Sequence, residues 1–187
     1  METIEYKGLS IKIEQDDMPI NPRNDYDHLG ILACLHKRYD LGDTHDMDVS
    51  DLLAIEASDA YISLPVYLYD HSGITISTTP FSCQWDSGKI GVIFCTVDKA
   101  QKEGMTVEKV KEYLKGEVEA YDKYLTGDIW FYSVESPDGV QLDSCGGFYG
   151  YEYCLEQAKE QASWWHSELI KQAKKEEQEL AWYNSQL

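Results

Sequence analysis

Leu9, Ile11 and Ile13 alternate with polar residues after a Lys7-Gly8 turn, and together with Thr3 to Tyr6 this period of two predicts an opening hairpin. Turn chemistry follows at Asn21-Pro22 and Asn24-Asp25, and the short apolar run Gly30 to Leu35 predicts a buried strand. Val49 to Ala60 has helix-forming composition, although its apolar and acidic positions overlap around the axis. Val66, Leu68, Ile74, Ile76 and Ile90 to Val97 are rich in β-branched residues and are punctuated by Gly73, Pro80 and Gly88, as in the centre of a sheet. The spacing changes to three and four at Val107, Val110, Leu114, Val118, Tyr121 and Leu125, which predicts a helix capped by Thr106 and ended by Gly127. Ile129 to Glu135, a Pro137-Asp138-Gly139 turn and Val140 to Cys145 predict a second hairpin, and Cys145 to Gly150 a glycine-rich hinge. From Tyr151 on, neither Pro nor Gly interrupts the chain, and Leu155, Ala158, Ala162, Trp165 and Leu169 make one apolar stripe. A helix over 151–187 would be long enough to run the whole body or project from it. The expectation is an α+β fold in a single domain over residues 1–187. It has a mainly antiparallel sheet of about five to seven strands with packed helices and a long C-terminal helix.

With 187 residues, 43% of them hydrophobic and 12% aromatic, the chain has apolar area enough for a sizeable core. Thirty-four acids against sixteen bases give a net charge of -18, which repels polyphosphate. Direct binding to nucleic acid or to an anionic membrane is thereby disfavoured, and basic partners are favoured. The first residues lack the basic and apolar parts of a signal peptide and no apolar run approaches a membrane span, so a cytoplasmic location is expected. Five cysteines, widely and unevenly spaced, argue for reduced thiols rather than a disulfide framework or a zinc ribbon.

From Asp40 to Asp59 there are seven acids, Asp40, Asp43, Asp46, Asp48, Asp51, Glu56 and Asp59, and no Lys or Arg. Clustered carboxylates can stand where phosphates stand on a basic protein and accept charge-assisted hydrogen bonds from its Arg and Lys. A solvated acidic loop with helix-capping aspartates accounts for the same run. Asp43, His45, Asp46 and Asp48 do not match a calcium loop, so no metal is expected, and no cofactor either. His71, Cys83, Trp85 and Asp86 fall in neighbouring turns of the central sheet. They form a candidate pocket in which a thiolate with an imidazole base would do nucleophilic chemistry, whereas a buried thiol and a hydrogen-bonded His are the plainer account. Trp164 and Trp182 place large aromatics on the last helix, as at a homodimer interface or in intramolecular packing.

The stretch from Tyr67 to Gly91, with Tyr69-Asp70-His71-Ser72-Gly73-Ile74-Thr75-Ile76-Ser77-Thr78-Thr79-Pro80-Phe81-Ser82-Cys83 and Trp85-Asp86-Ser87-Gly88 at its centre, resembles the core of uncharacterised proteins encoded by bacteriophages and prophages. Asn21-Pro22-Arg23, Leu41-Gly42-Asp43, Tyr121 to Asp128 and Asp143 to Gly150 are similar to further blocks of that family. The resemblance implies no catalytic residue; it implies a small acidic protein in the cytoplasm of a bacterial host. The combined expectation is a binding protein that inhibits a basic, nucleic-acid-handling defence enzyme of the host, of the anti-CRISPR or anti-restriction kind, by nucleic-acid mimicry through the Asp40 to Asp59 surface. The alternatives are a small Cys/His-dependent enzyme and a phage assembly protein that oligomerises through its last helix.

Overall fold

A computed structural model describes residues 2–186. In chain order its elements are β1 (Glu2–Tyr6), β2 (Leu9–Gln15), α1 (Pro22–Asp25), β3 (Ile31–Cys34), α2 (Val49–Ala57), β4 (Tyr61–Asp70), β5 (Ile74–Ser77), β6 (Ser87–Thr96), α3 (Val97–Lys102), α4 (Val107–Thr126), β7 (Ile129–Glu135), β8 (Gln141–Tyr149) and α5 (Tyr151–Asn184). The fold is α+β, with two antiparallel four-stranded sheets where one larger sheet was expected. The chain gathers into two compact units, one made of Met1–Pro19 with Asp128–Leu187 and the other of Ile20–Gly127. No Pro- or Ser-rich linker in the sequence announces that division.

The first unit is built on the strand order β1-β2-β7-β8. The two hairpins that the alternating patterns predict are joined by the pairing of β2 with β7, in which Ser10 faces Glu135 and Gln15 faces Trp130. One face of this sheet buries Leu9, Ile11, Ile13, Tyr132 and Val134 against Cys154, Ala158 and Ala162 of α5. Those three small side chains let the helix lie close to the sheet, and each fully buried Ile contributes about 1.5–3 kcal/mol. The glycine-rich segment is a strand and not the expected hinge. Asp16 accepts the Gly147 N–H at 2.9 Å, and Gly147 takes φ +78° in a bulged β8, a conformation open to a residue without Cβ. The 34 residues of α5 extend about 51 Å, and from Lys171 to Gln186 every one is exposed.

The second unit has the strand order β3-β6-β4-β5. Against one face lies α4, burying Val110, Leu114, Val118 and Tyr121 beside Leu32, Val66 and Ile93. Its limits are those the sequence predicts: the Thr106 side chain accepts the Lys109 N–H, and Gly127 closes the helix in a left-handed conformation. The opposite face carries α2, whose Leu52 and Ile55 pack on Ala33, Val92 and Phe94. Strand β4 begins at Tyr61, ahead of the expected Val66, and includes Pro65. Since β5 pairs only with Tyr67–Asp70, the sheet has a free edge at Pro65, where a residue with no N–H is tolerated. Among the described residues no helix is long and apolar enough to cross a membrane.

Leu114→Ala, which empties a fully buried position on α4, is expected to lower the unfolding free energy by about 3 kcal/mol in a urea titration. Val140→Ser, at an exposed turn position, should stay within about 0.5 kcal/mol of the parent.

Candidate functional site

The acidic run leads to a buried cation. Asn21 accepts the Arg23 N–H and Pro22 presets the first helical φ, so α1 starts at a fixed place and sends the Arg23 side chain inward. The Arg23 side chain is 1% exposed. Its Nε and Nη2 donate to the two oxygens of Asp43 at 2.8 and 2.5 Å, its Nη1 donates to Glu117 of α4 at 2.9 Å, and Nη2 also reaches the Gly30 carbonyl at 3.0 Å. The carboxylates are filled from the other side. Asp43 accepts the Leu32 N–H at 2.8 Å, and Glu117 accepts the Leu29 N–H at 2.7 Å. Burial pulls the guanidinium pKa down, but the hydrogen bonds to Asp43 and Glu117 outweigh it and hold the pKa above its ordinary value.

Asp43 is therefore a structural anion and not part of an open acidic face, because its two oxygens are already held by Arg23 and a backbone amide. Glu56 is likewise engaged, with Lys89 at 2.5 Å. Asp48 and Asp51 form the capping box of α2: Asp48 accepts the N–H groups of Ser50 and Asp51, and Asp51 accepts the N–H of Asp48. The Ser50 hydroxyl, followed by the Asp51 and Ser50 amides, lowers the Asp48 carboxyl pKa. The cap is therefore complete above the ordinary aspartate range and is lost only as the pH falls through the lower folded value. Asp40, Asp46 and Asp59 are exposed, with no hydrogen bond or ion pair among the described residues.

The negative charge is also less one-sided than the sequence run suggests. The first unit holds 16 acids against 6 bases and the second 18 against 10. What distinguishes the α2 region is the apolar surface that accompanies its acids. Val49 and Leu53 are 63% and 58% exposed on the helix. On one side of α2, Leu35, Val49, Leu53 and Ile90 line a groove of about 190 Å³, with the Glu56–Lys89 pair at its rim. On another side, Asp46, Asp51, Met47, Ile55 and Tyr61 line an open cleft of about 570 Å³. The sequence reading missed Arg23, Glu117 and these apolar residues. Arg23 and Glu117 lie 94 positions apart, and no local pattern connects them.

His71, Cys83 and Asp86 do come together, with Asp86 in the middle. Its Oδ2 accepts the Cys83 thiol at 3.6 Å and lies 3.5 Å from His71 Nδ1. The thiol thus donates to a carboxylate and not to the imidazole that would have to activate it. Trp85 is 96% exposed, so it is no pocket wall. Around this tip Tyr69 stacks with His71 and packs against Phe81. On α5, Trp164 and Trp182 are 53% and 66% exposed. Trp164 meets Trp165 edge-on at 4.9 Å between centroids. Among the described residues no group of three or more His, Cys, Asp or Glu is placed to hold a metal ion.

Comparison of the chain with protein-family models, curated proteins and solved structures found no match.

Arg23→Met leaves two half-buried carboxylates without their cation and is expected to cost about 3–5 kcal/mol in a denaturant titration. Asp46→Asn, at an exposed acid, should leave stability unchanged. Thiol alkylation separates the cysteines. Burial pushes Cys34 and Cys154 up to about 12, so at pH 8 only about one in 10⁴ of either is thiolate. Exposed Cys145 should be labelled by iodoacetamide in the native state while those two are spared, as read by peptide mass spectrometry.

Proposed function

We propose that the protein works by binding and not by turnover, and that its partner is a basic, nucleic-acid-handling protein of a bacterial host's defence, which it inhibits by occupying the nucleic-acid surface. The observation that carries this reading is the surface of α2, where exposed Val49 and Leu53 stand beside a groove and a cleft and among acids with few cations. An apolar centre with charged surroundings is the anatomy of a protein-binding patch. The sign of its surroundings, from Asp46, Asp48, Asp51 and Asp59, selects a partner rich in Arg and Lys. Asp43 and Glu56 take no part in it, since both are occupied internally. The polyanion is thus imitated locally, by a few carboxylates around an apolar anchor. The resemblance of the Tyr67 to Gly91 stretch to phage-encoded proteins supplies the setting of host defence.

Immobilised protein exposed to a bacterial host lysate at about 0.05 M salt is expected to retain basic nucleic-acid-binding proteins and to release them as salt rises toward about 0.5 M. Val49→Ser with Leu53→Ser should weaken that retention at least tenfold. Asp46 and Asp59 changed together to Asn should flatten its salt dependence. Retention indifferent to salt and to both sets of changes would overturn the reading.

A further inference from the structure

Strand β4 carries a stretch of backbone with no neighbour on its outer side. It pairs with β6 from Tyr61 to Tyr69, whereas β5 covers only Tyr67–Asp70 on the other side. The direction of each backbone group follows from the alternation of an antiparallel ladder. The Val97 N–H donates to the Ala60 carbonyl at 2.9 Å, so Ile62 and Leu64 are the residues that bond to β6, and Tyr61, Ser63 and Pro65 turn their groups outward. Pro65, which has no N–H, fits that outward set. The Tyr61 N–H is occupied by the Ser58 carbonyl at 3.2 Å. The Ser63 N–H and the carbonyls of Tyr61, Ser63 and Pro65 remain, with no strand beside them. Farther along, the edge of β5 is closed by Asp122 of α4, which accepts the Ile76 N–H at 2.7 Å.

The space next to this edge is open, and its two sides differ in charge. About 350 Å³ lies along Tyr61, Ile62 and Ser63, and it shares Ser58 and Tyr61 with the cleft of about 570 Å³ beside α2. Tyr61 packs with the α2 cluster, and Ile62 and Leu64 pack with the α4 cluster, so Tyr61, Ser63 and Pro65 face the α2 side. Exposed Asp46 and Asp51 stand on that side, and exposed Asp59 lies in the turn that leads into β4. On the α4 side the space is lined by Val107 and Lys111. We propose that this edge binds an extended segment of the partner, added antiparallel to β4, with Arg or Lys at every second residue facing α2 and apolar residues between them facing Val107. The proposal rests on the reading of the α2 region as a surface for a basic partner and names how that partner is held. The residue opposite Ser63 exchanges both backbone hydrogen bonds with it, and those opposite Tyr61 and Pro65 donate to their carbonyls. These bonds hold any sequence, while the alternation of side chains selects the basic one. The antiparallel direction is that of β5, the strand already seated farther along the same edge. It also puts the residues that bond to β4 and the residues that face the acids in one set. A parallel segment would separate the two sets, because its bonded residues would point toward Lys111.

The probe is a fluorescently labelled peptide, Val-Arg-Val-Arg-Val-Arg-Val with an amidated end, titrated with the full-length chain and read by anisotropy. Saturable binding is expected below about 1 mM. Methylation of the backbone nitrogens of its three arginines should weaken binding at least about tenfold, since it removes the bonds to the Tyr61, Ser63 and Pro65 carbonyls. The same methylation of three valines, whose N–H groups point away from β4, should leave affinity within about twofold. On the protein, Ser63→Pro removes the outward N–H without touching the ladder to β6 and should also weaken the unmodified peptide about tenfold. An unchanged urea midpoint shows that this variant folds, and the methylated peptides need no variant at all. No binding at about 1 mM peptide, sensitivity to valine methylation in place of arginine methylation, or indifference to Ser63→Pro in a folded chain would each overturn the proposal. The underlying reading is separable from it. If host proteins are retained by the Ser63→Pro chain and lost from the Val49→Ser, Leu53→Ser chain, the α2 surface stands and the strand edge does not. If retention is indifferent to the α2 changes while the peptide behaves as expected, the edge stands and the α2 surface falls.

Discussion

The second unit depends on one buried guanidinium. Between Ile20 and Asp43 the chain has a one-turn helix and a four-residue strand, too little regular structure to hold itself in place. Arg23 supplies the missing order by joining Asp43, Glu117 and the Gly30 carbonyl. The two carboxylates then take the N–H groups of Leu29 and Leu32, which seats β3 beside β6. A charge buried this deeply is tolerated only because its hydrogen bonds are filled. Close packing completes the arrangement: a Cβ on Gly30 would come within 2.3 Å of Leu114, so only the smallest residue fits where the loop meets α4.

This constraint also separates structural acids from available ones. A run of like charges costs folding stability, and the fold offsets part of that cost by giving Asp43 an arginine, Glu56 a lysine and Asp48 a helix N-terminus. What is left for a partner is smaller than the run and lies around α2. That helix is held by the small cluster of Leu52 and Ile55 on Ala33, Val92 and Phe94. Its outward side keeps the apolar side chains Val49 and Leu53, which nothing in the unit buries.

Wherever the signal is periodic and local, the sequence was legible. Both hairpins, the Thr106-capped helix and the long α5 follow from periods of two and of about 3.6, and the core positions Leu9, Ile11, Ile13, Val110 and Leu114 follow with them. The division into two sheets was not legible, because pairing of β2 with β7 is a contact between Ser10 and Glu135, which no local pattern encodes. The same reason hides the role of Asp43, whose partners lie 20 and 11 residues away and share an ion network with a residue of α4. The Cys145 to Gly150 run misleads because glycine marks bulged strands as readily as hinges, and the anchor that decides between them is Asp16, 131 residues earlier. The Cys83, His71 and Asp86 neighbourhood was visible as composition, but its order, with the carboxylate central, is a property of side-chain placement alone.

The pairing of β2 with β7 has a consequence for how the polypeptide comes into being. A ribosome delivers the complete 20–127 segment, with its own core, before it delivers β7, the strand on the other side of β2. The second unit can thus close while the opening hairpin still waits, with the apolar row of Leu9, Ile11 and Ile13 uncovered. The first unit is finished only when α5 emerges and lays Ala158 and Ala162 over that row. Residues made ahead of the 20–127 segment are thereby buried only after residues made behind it.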